Sequence, residues 1–85
     1  MTSLKIGIVG AGNMGRIHAR ILNDMNVLVG VADSAIDIAK ETASIYNVPA
    51  FDDYQSLIER TSPDAMVIAT PTFTHAKIAG EIASR

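Results

Sequence analysis

The chain alternates short apolar runs with longer stretches in which apolar residues recur at three- and four-residue spacing. The runs are typical of strands covered on both faces, and they occupy residues 4–9, 27–32, 48–51 and 65–69. The periodic stretches predict helices, at about residues 13–25, 35–46, 54–60 and 75–84. We therefore predict an α/β fold, with a parallel four-stranded sheet, right-handed crossovers and helices on both faces.

The third apolar run contains Pro49. Proline has no N–H to donate to a strand ladder, so this run suits an edge strand and fits the strand order 3-2-1-4. In such a sheet, ligands bind beyond the carboxyl ends of the strands, where the order reverses between strands one and four. The loops expected to meet there are residues 10–15, 33–34 and 70–74.

The first of these loops reads Gly-Ala-Gly-Asn-Met-Gly over residues 10–15, between a predicted strand and a predicted helix. This context makes G-x-G-x-x-G a dinucleotide fingerprint, although glycines also mark ordinary turns. Gly10 would allow the tight turn, Gly12 the close approach of a pyrophosphate, and Gly15 the packing of helix against strand. The helix N-terminus would offer unpaired N–H groups and a positive dipole end to the phosphates.

The second apolar run ends at Asp33. A carboxylate in this place, roughly 20 residues after the last glycine, accepts hydrogen bonds from the adenosine ribose. A 2′-phosphate would meet a like charge there, and no Arg or Lys occurs in residues 34–36 to neutralise it, so the sequence favours NAD over NADP. Ser34 is predicted to be the N-cap of the second helix, with Asp37 complementing the dipole in its first turn.

Two histidines and one apolar stripe each allow a structural interpretation. The first helix is predicted to bury Met14, Ile17, Ile21, Leu22 and Met25. His18 lies at the edge of that stripe, where it either packs or contacts a ligand. His75 opens the last helix and either caps or packs there, or faces the cofactor.

Asp52 or Asp53 is predicted to cap the short third helix.

Composition limits the other classes of function. The net charge is −2 and the seven lysines and arginines are scattered, which gives no support to nucleic-acid binding. The chain has no cysteine, and its two histidines lack a matching set of carboxylates, so we expect no metal site. No apolar run approaches the length of a membrane span, and no signal-peptide pattern opens the chain. We expect a cytoplasmic protein that binds neither nucleic acid nor membrane.

With these residues in view, the chain resembles the N-terminal NAD(P)-binding Rossmann domain of the glucose–fructose oxidoreductase / inositol dehydrogenase family (Gfo/Idh/MocA). The shared segments are residues 10–18, residues 31–33, Asp53-Tyr54 at the start of the third helix, and Ala69-Thr70-Pro71 followed by His75. The glycine loop alone is common to many dehydrogenases. Its combination with His18 and with Thr-Pro-x-x-x-His after strand four is more specific.

The resemblance implies an oxidoreductase that passes a hydride between a sugar, polyol or related substrate and a nicotinamide cofactor. The cofactor-binding residues that we expect are Gly10, Gly12, Asn13, Met14 and Gly15 at the pyrophosphate, Asp33 with the adjacent Ser34 at the ribose, and Thr70, Pro71 and His75 along the cleft.

Members of this family carry a catalytic lysine in a Glu-Lys-Pro motif on a fifth strand, followed by a second domain. No lysine of this chain stands in such a motif, so we expect residues 1–85 to be a single truncated cofactor domain, a fragment that is inactive by itself. Strand four would then have a bare edge, and we expect a homodimer or a segment-exchanged oligomer through it. Two other functions stay open: a non-enzymatic NAD-sensing regulatory domain, and a dehydrogenase of another class with the same half-fold.

Overall fold

The computed structural model of the protein describes residues 4–69, apart from the side chain of Asn13. Strands and helices alternate strictly along these residues. They are β1 (Ile6–Val9), α1 (Asn13–Asp24), β2 (Leu28–Ala32), α2 (Ile36–Tyr46), β3 (Ala50–Phe51), α3 (Tyr54–Thr61) and β4 (Ala65–Ile68). The helix predicted at residues 75–84 lies outside the described residues, as do Thr70, Pro71 and His75.

The four strands form one parallel sheet in the order β3-β2-β1-β4. The predicted α/β fold and strand order are therefore confirmed. The strands are shorter than predicted, since β1 begins at Ile6 and β3 comprises only Ala50–Phe51. Pro49 lies just before β3, and its carbonyl accepts the Val31 N–H at 3.1 Å. A proline is tolerated at this edge because only its carbonyl takes part in the hydrogen bonding with β2, and no N–H is needed.

One face of the sheet is covered by α1 and α2. Alternate strand residues point to this face, and Ile8 of β1 and Val31 of β2 are fully buried. Their buried partners come mainly from the two helices: Ile8 packs with Ala19 and Leu22, and Val31 packs with Ala11, Ala39 and Ala43. The many alanines bring both helices close to the strands.

The opposite face is covered by α3. Gly7 of β1 and Gly30 of β2 are paired residues, and Leu57 of α3 lies over them with none of its surface exposed. A Cβ on Gly7 would lie 2.5 Å from Leu57 Cδ2 and 2.9 Å from Met66 Sδ. The missing side chain on Gly7 thus makes room for two packed side chains.

The buried face of α1 is not the predicted stripe. Four of the five predicted residues are 46–59% exposed: Met14, Ile17, Ile21 and Met25, which we call the α1 stripe. The helix instead turns Gly15, Ala19 and Leu22 toward the sheet. Gly15 and Ala19 are small, so this face permits the closest approach to β1. The period of the pattern indicates a helix but does not show which of two adjacent apolar faces meets the sheet.

Local side-chain and backbone chemistry sets the end of α2 and the start of α3. Asn47 ends α2 in the left-handed conformation, with a φ of 56°. Asp53 is the N-cap of α3, and its Oδ1 accepts the Ser56 N–H at 2.6 Å. Of the two acids that could cap this helix, the structure selects Asp53.

Candidate dinucleotide site

The glycine loop, residues 10–15, leaves β1 in a sharp turn. Gly10 has a φ of 100°, which a glycine adopts without the steric cost of a Cβ. Its N–H donates to the Ala32 carbonyl at 2.7 Å, so hydrogen bonding between β1 and β2 continues into the turn. This conformation accounts for a glycine at residue 10.

Gly15 lies in the first turn of α1, directly against the Gly10 turn. A Cβ on Gly15 would overlap the Gly10 carbonyl oxygen and lie 2.7 Å from the carbonyl carbon. Both are backbone atoms, so no side-chain rotation could relieve the contact. The glycine at residue 15 therefore allows the first turn of α1 to pack directly against the end of β1.

The first helix, α1, begins at the glycine loop. Within residues 4–69, no side chain caps this helix, its N-cap residue is Gly12, and its first turn contains no acidic residue. The first helical hydrogen bond runs from the Arg16 N–H to the Gly12 carbonyl at 2.9 Å, so the earlier amides of the helix have no intrahelical acceptor. Unpaired amides at the positive end of the helix dipole suit an anion such as a pyrophosphate.

Within the described residues, the space beside Gly12 is open. A Cβ placed on Gly12 would have no atom of the described chain within 4 Å, its immediate neighbours aside. Gly12 is therefore not required for packing, in contrast to Gly15. The lack of a side chain instead leaves the backbone accessible next to the unpaired amides of α1.

Asp33 follows β2 directly, and its half-buried carboxylate accepts two backbone N–H groups. Oδ2 accepts from Ala11 in the glycine loop, and Oδ1 accepts from Ala35 before α2, both at 2.8 Å. Each carboxylate oxygen can accept a second hydrogen bond, so the group retains capacity for ribose hydroxyls. The candidate ribose acceptor thus lies against the candidate phosphate loop.

Ser34 does not cap α2, contrary to the prediction. The N-cap is Ala35, with no side-chain cap hydrogen bond within the described chain, and its N–H is held by Asp33 Oδ1. An aspartate that accepts the N–H two residues on forms a local turn. This turn leads into α2, which has its N-cap one residue later than predicted. Asp37 does lie in the first turn of α2.

The chain leaves β4 beside the glycine loop. The Ala69 N–H donates to the Val9 carbonyl at 2.8 Å, and Ala69 Cβ lies 3.9 Å from the position of a Cβ on Gly15. The described part of the predicted site comes together at this edge of the sheet: Gly10, Gly12, Gly15, Asp33, Ser34 and the backbone of residues 13–14. The Met14 side chain is exposed there, while Thr70, Pro71 and His75 lie outside the described residues.

Sequence reasoning missed a salt bridge beside the loop. Arg16 Nη2 lies 2.9 Å from Glu41 Oε1 and so links the first turn of α1 to α2. Nothing in the sequence pairs two opposite charges 25 residues apart, because their approach depends on how the two helices pack. His18 is half-buried on α1.

In residues 4–69, no group of three or more metal-ligating side chains is placed to hold an ion. None of the three described helices is both long enough and apolar enough to cross a membrane.

The sequence matches the oxidoreductase family described as having an NAD-binding Rossmann fold (Gfo/Idh/MocA), over residues 4–85. The solved UDP-N-acetylglucosamine 3-dehydrogenase of Acidithiobacillus ferrooxidans is 32% identical with a TM-score of 0.79, over 95% of this chain and 27% of that one. A myo-inositol dehydrogenase of Corynebacterium glutamicum is 30% identical with a TM-score of 0.80, over 91% and 24%. A levoglucosan dehydrogenase, solved with NADH and levoglucosan, is 28% identical with a TM-score of 0.72, over 92% and 24%.

This chain spans about a quarter of the length of these relatives. The quarter that it spans contains the glycine loop, the start of α1 and the end of β2, where the unpaired amides and the Asp33 carboxylate lie. The family match extends from β1 to the last residue, and the four-stranded order agrees with the half-fold that the resemblance implied. The chain therefore belongs to the Gfo/Idh/MocA family of oxidoreductases.

Proposed function

We propose that this chain binds NAD and serves as the cofactor-binding part of a dehydrogenase that transfers a hydride between the nicotinamide and a sugar or polyol. The observation that carries the proposal is the N-terminus of α1. Among residues 4–69 no side chain caps it, its first amides have no intrahelical acceptor, and the space beside Gly12 is open. A helix left in this state gains an acceptor and charge complementarity when an anion binds.

The proposed roles follow the three loops. Gly10, Gly12 and Gly15 shape the turn while the backbone of Asn13 and Met14 meets the pyrophosphate. Asp33, with Ser34 next to it, meets the adenosine ribose. Thr70, Pro71 and His75 line the cleft beyond β4, an assignment supported by the family resemblance.

The preference for NAD over NADP rests on the Asp33 carboxylate. Its oxygens already accept two N–H groups, which keeps the negative charge at the edge of the site. A 2′-phosphate would have to approach that charge, whereas ribose hydroxyls can donate to it. The relative solved with NADH supports the same class of cofactor.

The substrate class is supported by the relatives alone. They are named for UDP-N-acetylglucosamine, myo-inositol and levoglucosan, which share a polyhydroxylated ring. We assign the whole protein to oxidation or reduction of such a compound, and a cytoplasmic location remains a prediction.

Calorimetric titration of the 85-residue chain with NAD and with NADP tests the cofactor assignment. We expect NAD to bind more tightly, and Asp33→Ala to abolish that preference. Asp37→Ala is the matched control, because it removes an exposed carboxylate from the first turn of α2, four residues away in sequence. Tighter binding of NADP by the unaltered chain would contradict the assignment.

We also propose that the chain self-associates through β4. Among residues 4–69, β4 pairs with β1 on one side only, and an unpaired strand edge recruits another strand. Because Arg16 points to α2, the α1 stripe lies on the far flank of α1, above the β4 side of the sheet. An edge-to-edge dimer would cover both.

Light scattering at increasing concentration tests this association. We expect a dimer that Ile17→Glu weakens, because it places a charge in the α1 stripe. Ile45→Glu is the control, since Ile45 is an exposed isoleucine of α2 and not part of the α1 stripe. A monomer at all concentrations would contradict the proposal.

A further inference from the structure

Asp33 makes a contact that a ribose-binding residue does not need. Its Oδ2 reaches back across 22 residues of sequence to accept the Ala11 N–H of the glycine loop. Its Oδ1 accepts the Ala35 N–H at the start of α2. One carboxylate therefore joins the end of β2, the start of α2 and the glycine loop.

The two bonds are not equivalent. Ala11 is fully buried, so its N–H would be left without an acceptor if the carboxylate were removed, and a buried unpaired donor is costly. Ala35 is exposed, and its N–H can turn to water instead. The Ala11 bond is therefore the one that ties the conformation of the loop to Asp33.

We infer that Asp33 is a positioning residue for the pyrophosphate loop as well as a ribose acceptor. Through Ala11 it fixes the residue between Gly10 and Gly12, and so the direction in which the first amides of α1 point. The ligand side of this inference rests on the proposed function. A consequence is that Asp33 cannot be replaced to favour NADP without a loss of affinity for both dinucleotides, unless the new side chain also accepts from Ala11.

The decisive ligand is one that has the diphosphate but no ribose hydroxyls. We therefore compare ADP with 2′,3′-dideoxyadenosine diphosphate on the 85-residue chain. Asp33→Ala should lower the affinity for the dideoxy compound about fivefold or more, the size expected when one buried hydrogen bond is lost. Asp37→Ala should change that affinity by less than about twofold.

Asp33→Asn separates positioning from charge. Its amide oxygen can still accept from Ala11, so binding of the dideoxy compound should recover toward that of the unaltered chain. If only the negative charge mattered, both Asp33→Ala and Asp33→Asn would bind diphosphates more tightly, because a like charge has been removed. Unchanged or tighter binding of the dideoxy compound by Asp33→Ala would overturn the inference.

Amide hydrogen exchange in the unliganded chain tests the contact without any cofactor. Exchange at the Ala11 N–H should accelerate at least about tenfold in Asp33→Ala, in proportion to the free energy of the lost bond, and stay unchanged in Asp37→Ala. If the chain binds no dinucleotide but Ala11 responds in this way, the proposed function fails and the positioning role stands. If ligands bind and Ala11 does not respond, the positioning role fails.

A variant that does not fold is also informative. If Asp33→Ala fails to fold while Asp33→Asn and Asp37→Ala fold, the chain requires a hydrogen-bond acceptor for the Ala11 N–H, which supports the inference. If Asp33→Asn also fails to fold while Asp37→Ala folds, the specific role of the Ala11 bond is overturned, because Asp33→Asn retains that acceptor.

Discussion

Helices α1 and α3 begin in opposite ways. At α3, the Asp53 carboxylate accepts the Ser56 N–H at 2.6 Å through Oδ1 and the Ser56 hydroxyl at 3.2 Å through Oδ2. At α1, the N-cap is Gly12, and no side chain of residues 4–69 takes the place of that carboxylate. Both helices start with amides that lack intrahelical acceptors.

The two helix N-termini differ in what their unpaired amides are available to bind. An internal carboxylate gives α3 a fixed start, and the Ser56 N–H bond lowers the pKa of Asp53 below its ordinary value of 3.8. An internal cap at α1 would occupy the place where a pyrophosphate could bind. In residues 4–69 no side chain caps that end, and the loop is held instead by the packing at Gly15 and by the hydrogen bond from Ala11 to Asp33.

The largest effect is expected from Gly15→Ala, which attacks the packing behind the open end. The added Cβ would overlap the Gly10 carbonyl oxygen, so the loop or α1 must shift. We expect the free energy of unfolding to fall by about 3 kcal/mol, with NAD binding lost, as measured by urea denaturation and calorimetry. An unchanged midpoint would mean that α1 moves freely against β1.

Gly12→Ala is expected to separate binding from stability. The added Cβ meets no atom of the described chain within 4 Å, its neighbours aside. The free energy of unfolding should therefore change by only about 0.5 kcal/mol. It would project beside the unpaired amides, and we expect NAD affinity to fall at least about tenfold. Equal affinity in the variant would place the pyrophosphate elsewhere.

Asp53→Ala is the counterpart at α3. Loss of the cap should lower the melting temperature by a few degrees without changing NAD affinity, as measured by thermal denaturation and calorimetry. A weakened NAD affinity at unchanged stability would mean that α3, too, contributes to the site.

The same cap predicts a pH dependence. Because the pKa of Asp53 is lower in the folded chain, its contribution to stability is complete above 3.8 and is lost as the pH falls through the lower, folded-state pKa. Asp53→Asn should keep most of the cap and remove this dependence. Thermal denaturation of both chains between pH 2 and pH 6 (roughly the range over which a carboxylate titrates) measures it.

The smallest effect is expected from Glu41→Gln. The Arg16–Glu41 pair is 46% and 62% exposed, so solvent screening should limit its loss to about 0.5 kcal/mol of unfolding free energy. Releasing Arg16 in the first turn of α1 should change NAD affinity by less than about twofold. A clear gain in NADP affinity would instead identify Arg16 as a cation that Glu41 withholds from the site.

The fold was predictable because its signals are local. Continuous apolar runs, helical periodicity and short connections together imply a parallel sheet, and Pro49 marks the edge strand. The spacing of the glycine loop and Asp33 was sufficient to predict a dinucleotide site, which the proposed function adopts. Each of these features can be read from neighbouring residues in the chain.

Other features depended on how distant elements approach one another. The α1 stripe is as apolar as a buried face, yet the sheet contacts the side that carries Gly15 and Ala19. Ser34 is a residue type that often caps helices, but the N-cap of α2 is Ala35, whose N–H donates to Asp33. In both cases the sequence offered two chemically acceptable choices, and packing selected between them.

The sequence by itself determined the order of strands and helices, the glycine loop between β1 and α1, and a carboxylate at the end of β2. These follow from periodicity, backbone chemistry and spacing along the chain. Only the tertiary structure decided that Gly15 is required by the Gly10 carbonyl, that the space beside Gly12 is open among residues 4–69, and that Asp33 accepts the Ala11 N–H. Those three facts concern atoms brought together by the pairing of β1 with β2 and the packing of α1, and no local pattern encodes such distances.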